Sequence, residues 1–84
     1  MLRLKFMLRF SLHYMDKASR LIDDQRLRAP DVWHAMACAN RRLHRSFLGA
    51  REPALDPNGR VDVLDQSGVI VARIYCAEAI SAMS

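Results

Sequence analysis

Glycine is scarce in this chain of 84 residues, with Gly49, Gly59 and Gly68 its only three. They form no loop of the kind that cradles phosphates in P-loop or dinucleotide-binding folds, so nucleotide hydrolysis is not expected. Cysteine is scarcer still: Cys38 and Cys76 stand far apart and outside any CxxC or CxxH spacing. That argues against a metal knuckle or a disulfide framework and for two reduced, small apolar side chains. No stretch approaches the ~20 apolar residues that cross a bilayer. The first residues, MLRLKFMLRF, interrupt their apolar run with Arg3, Lys5 and Arg9, which an export signal does not do. The expected compartment is the cytoplasm.

A chain this short holds one hydrophobic core, so residues 1–84 are expected to form a single domain. Small cores often need reinforcement, and with disulfides and metals set aside, self-association is the natural one. Lys and Arg number 13 against 9 Asp and Glu, a net charge of +4. Residues 1–60 carry 12 of the basic groups and 6 of the acidic ones. The basic portion suits an acidic partner, nucleic acid among them.

Leu2, Leu4, Phe6, Leu8, Phe10, Leu12 and Tyr14 alternate with mostly polar residues, the period of a half-buried β-strand. This run is longer than a sheet of this size pairs, so residues 1–6 extend beyond the core or bend away from it. After a polar turn at Asp16–Ser19, Arg20-Leu21-Ile22 reads as a short returning strand closed by an acidic turn, Asp23-Asp24. Pro30 and Asp31 open a helix whose core stripe is Val32, Met36, Ala39, Leu43 and Phe47 and which Gly49 stops. Residues 50–60, with Pro53, Pro57 and Asn58-Gly59, form a connecting loop. Val61–Leu64 is a strand, Asp65-Gln66-Ser67-Gly68 a hairpin turn with Gly68 at positive φ, Val69–Tyr75 the returning strand, and Ala77–Met83 a terminal helix. The sum is an α+β fold: an antiparallel sheet of three or four strands, one main helix on one face and a short terminal helix.

Several of these segments together resemble a family of short, stand-alone bacterial proteins of unknown function. The matching pieces are Leu8–Tyr14, Ile22-Asp23-Asp24, Ala29-Pro30-Asp31, the Ala- and Arg-rich helix through Arg45, and the V-x-D-x-x-G hairpin in Val61–Gly68. Arg26 stands where family members have a turn glycine, and Tyr75-Cys76 where they have Pro-Phe. The resemblance implies a fold and supplies no activity or site residues.

No catalytic, cofactor-binding or metal-binding constellation emerges. His34 and Cys38 share a helix face, but a metal site or Cys–His nucleophile needs a further ligand or an orienting acid. Asp23-Asp24 reads as a turn pair and Asp62/Asp65 as structural carboxylates, because nothing in their spacing sets two pKa values apart. No small-molecule substrate is indicated. The chain is therefore expected to be a non-enzymatic interaction or structural module, self-associating or binding a protein partner through its long first strand. The alternative is nucleic-acid binding, with Arg3, Lys5 and Arg9 from the first strand, Arg41 and Arg45 from the helix, and Trp33 stacking on a base.

Overall fold

The computed structural model describes residues 7–49 and 54–82. Period-two alternation carries β1 from Leu8 to Met15 and buries Phe10, Leu12 and Tyr14. Residues 2–6 of the expected first strand lie outside the described residues. In the turn that follows, the Asp16 carboxylate accepts from the backbone N–H groups of Ala18 and Arg20, each at 2.9 Å, and Ser19 takes a φ of 62°.

The chain returns as β2, Leu21–Ala29, antiparallel to β1. The expectation of a three-residue strand closed by an acidic turn is corrected here. Asp23 and Asp24 sit inside β2, opposite Tyr14 and His13. Register explains the difference: pairing with β1 sets Asp23, Gln25, Leu27 and Ala29 on the core side, and only the last two are apolar, so β2 has little hydrophobic alternation to read.

Helix α1 spans Val32–Phe47, capped by Asp31, whose Oδ1 accepts from the His34 backbone N–H at 2.9 Å. Ala39 and Leu43 of the expected stripe are fully buried and Val32, Met36 and Phe47 pack beside them, joined by Ala35 and by the buried Arg42. Strand β3, Arg60–Leu64, and strand β4, Ile70–Tyr75, form the second hairpin. Its turn is built as expected, the Asp65 carboxylate accepting from the Ser67 and Val69 N–H groups while Gly68 holds a φ of 82°. Helix α2, Cys76–Ala82, follows directly.

The strands lie in the order β2-β1-β3-β4, all neighbours antiparallel. Both hairpins therefore meet along β1 and β3, and α1 covers the face carrying Leu12, Tyr14, Val61, Val63 and Ile74. The loop before β3 is pinned by Asp56, whose Oδ2 accepts from the Lys17 N–H at 2.9 Å and whose Oδ1 accepts from the Asn58 N–H at 2.8 Å. Gly59 then passes so close to the Met15 carbonyl that a Cβ would collide with it.

Most of the segment expected to dock, residues 2–10, lies outside the described residues. Within β1, Ser11–Met15 lie between β2 and β3, whereas Leu8–Phe10 pair with β2 and, among the described residues, with no strand on the other side. The margins of the sheet are β2 and β4. Among the described residues no helix is long and apolar enough to cross a membrane.

Candidate functional site

Among the described residues no helix lies on the face of the sheet opposite α1. Register places Arg9, Ser11 and His13 of β1 there, directly opposite Arg28, Arg26 and Asp24 of β2. Beside them stand Leu64, Asp62 and Arg60 of β3, with Arg73 and Tyr75 of β4 beyond. Two regions of this face differ in electrostatics. Toward β4, the buried Asp62 Oδ1 accepts from Arg60 Nε and Arg73 Nε, both at 3.0 Å, a carboxylate neutralised by two guanidinium groups. Toward β2, Arg9, Arg26 and Arg28 surround a concavity of ≈ 590 Å³, completed by Phe10, Ser11, Leu27 and Gln66. Among the described residues none of these three arginines is ion-paired.

Of the residues expected to contact nucleic acid, Arg3 and Lys5 lie outside the described residues, and Arg9 belongs to the concavity. Trp33, Arg41 and Arg45 stand on α1, across the sheet from Arg9. Trp33 is 72% exposed in the first turn, whereas Arg41 and Arg45 line a shallow groove near the other end with Asn40 and His44. The four that are described do not form one surface. What links the two sides is Arg28, which also lines a groove of ≈ 350 Å³ over the β2 margin with His34, Cys38 and Arg41. Arg26 and Arg28 escape a sequence reading because their placement follows from β2 being a full strand.

His34 and Cys38 border that same groove, yet each is engaged elsewhere. His34 Nδ1 lies 2.7 Å from Asp31 Oδ1, and the Asp31 carboxyl is held below the usual carboxylate range chiefly by this contact. Cys38 Sγ lies 3.7 Å from the Gln25 Nε2 donor. Both cysteines are free thiols, and burial pushes the Cys76 thiol up in pKa, away from the reactive thiolate. Among the described residues no three His, Cys, Asp or Glu side chains gather as a metal would require.

A buried polar network, not foreseen from sequence, joins α1 to the sheet. The Arg42 guanidinium carbon sits 4.3 Å from the Tyr14 ring centroid, and Arg42 Nη2 donates to Asp23 Oδ2 at 2.6 Å. The Tyr14 hydroxyl donates to Gln25 Oε1 at 3.0 Å. Burial pushes the Tyr14 phenol up to about 12 even though Arg42 pulls the other way, so the hydroxyl stays protonated and acts as a donor. The Arg42 hydrogen bond holds the Asp23 carboxyl below its usual range. Spacing carries the signal that could have found it: Arg42 follows Ala35 and Ala39 by seven and three residues, on the core side of α1.

No family model matches the chain, and neither a curated protein nor a solved structure matches it.

Proposed function

We propose that this chain is a non-enzymatic interaction module whose docking surface is the outer margin of β4, where a second copy adds its own β4 antiparallel to the first. The observation that carries this is the contrast between the two sheet margins. Along β2 stand Asp23, Asp24, Arg26 and Arg28, the charges that discourage edge-to-edge pairing, with only Leu21 and Ile22 exposed at its start. Along β4, Val69, Ile70, Val71 and Tyr75 are between 43 and 56% exposed. The single charge of that strand, Arg73, is already held by Asp62. An apolar, β-branched margin without a charged guard is a template for strand addition. Antiparallel pairing makes such a margin self-complementary, and a core this small gains from the apolar area covered.

Sedimentation velocity over a concentration series tests this. The mass should rise from one chain of 9.6 kDa toward two, and Val71→Lys should hold it at one chain throughout. A wild-type protein that stays at one chain over the whole series overturns the proposal.

A further inference from the structure

We propose that the concavity lined by Arg9, Arg26 and Arg28 binds the phosphodiester backbone of a single-stranded nucleic acid. Arg9 and Arg28 are cross-strand partners on the open face, an arrangement that places like charges side by side and is destabilising by itself. Elsewhere four arginines are held by carboxylates: Arg20 by Asp16, Arg42 by Asp23, Arg60 and Arg73 by Asp62. At this end of the sheet none of the three cations is ion-paired among the described residues. Asp24 is the nearest acidic group along β2, one same-face step beyond Arg26 and opposite His13.

The chemistry of the lining selects the ligand class. Three guanidinium groups offer forked donors suited to phosphate oxygens, and Ser11 and Gln66 add neutral donors. All three cations are arginine, the side chain that reads planar or tetrahedral oxyanions in two-point fashion. The concavity, ≈ 590 Å³ and open to solvent, has room for a phosphate with its flanking sugars, and a flexible single strand can follow its curvature. Arg28 also borders the groove that leads over the β2 margin to His34 and Arg41, which extends the cationic track beyond one phosphate and favours a polymer. No exposed aromatic ring lines either groove, so contact is with the backbone and carries little base preference. Its three arginines stand on β1 and β2, away from the strand-addition surface, and only Gln66 of the lining belongs to the turn that leads into β4.

Fluorescence anisotropy with labelled oligo-dT and oligo-U 20-mers tests the proposal, with a 20-bp duplex, polyglutamate and phosphatidylserine vesicles as competitors. Single strands should bind with a log–log salt slope near −2, about 0.7 for each of three neutralised phosphates. Arg26→Gln with Arg28→Gln should weaken binding at least tenfold and flatten the slope to about −0.7. Lys17→Gln with Arg20→Gln, the same charge change at the far turn, should leave both unchanged. Arg28→Lys should keep the slope and lose affinity a few-fold, because the charge remains and the fork does not. Removing Arg28 should not lower the melting temperature, since it relieves the like-charge cross-strand pairing with Arg9. Equal binding by the Arg26/Arg28 variant, or stronger competition by polyglutamate or vesicles than by single strands, overturns the assignment.

Discussion

At the level of single residues, the Arg42–Asp23 pair separates a buried charge from a half-exposed one. Arg42 is 9% exposed and lies on Tyr14, whereas the Asp23 side chain still meets water. Asp23→Asn removes the counter-charge 2.6 Å from the Arg42 guanidinium and should cost about 1 kcal/mol, less than for a fully buried pair because solvent screens the Asp23 side. Arg42→Met should cost less than Asp23→Asn, since an apolar side chain fills the same slot over Tyr14. Urea denaturation of both variants checks the order. The pH dependence has a definite sign: the folded-state pKa of Asp23 is lowered, so its stabilisation is complete above the unfolded value near 4 and is lost as pH falls through the folded value. The gap between wild type and Asp23→Asn should therefore close in acid, and a gap that widens there would refute the pairing. Gly59→Ala meets backbone rather than a yielding side chain, at Met15 and Asp16, and should destabilise by about 3 kcal/mol or more in the same measurement.

Secondary-structure elements differ in how plainly their residues announce them. Helix α1 carries its signals locally: the Asp31 cap, the 3.6-residue stripe, and Arg45 and His44 in the last turn against the helix dipole. Asp31→Ala should lower the melting temperature and helical ellipticity, because both the His34 N–H and the His34 ring lose their acceptor. Strand β1 is equally plain, since one face packs under α1 and the other stays polar. Strand β2 is not. It is a margin strand whose core-side positions include Asp23 and Gln25, tolerated there because Arg42 satisfies the first and Tyr14 and Cys38 occupy the second. A strand held by polar partners from two other elements cannot be recognised from its own nine residues.

For the whole molecule, the two proposed surfaces have a joint consequence. Pairing of β4 with its copy would give a continuous sheet of eight strands, with seven inter-strand steps of ~4.8 Å setting the two β2 margins roughly 34 Å apart. A 20-mer can reach both arginine clusters and a hexamer cannot. Val71→Lys, by separating the copies, should then weaken 20-mer binding about tenfold or more while leaving hexamer binding unchanged. Anisotropy with both lengths distinguishes this from damage to the site itself, which would weaken the two alike.

Hydrophobic periodicity and turn chemistry are local properties, carried by residues a few positions apart. They settled the α+β class, α1 with its cap, the Asp65–Gly68 turn and both of its strands before any folding was considered. Strand order is different, because it depends on which backbone edges meet across the sheet, and no local pattern encodes that. Only in the folded chain does most of β1 come to lie between β2 and β3 and β4 at a margin, where strand addition is proposed. The same non-local pairing sets Arg28 opposite Arg9 and turns Arg42 inward onto Tyr14 and Asp23. Charge count announced a basic protein; cross-strand register, which acts between residues far apart in the chain, determined where that charge gathers.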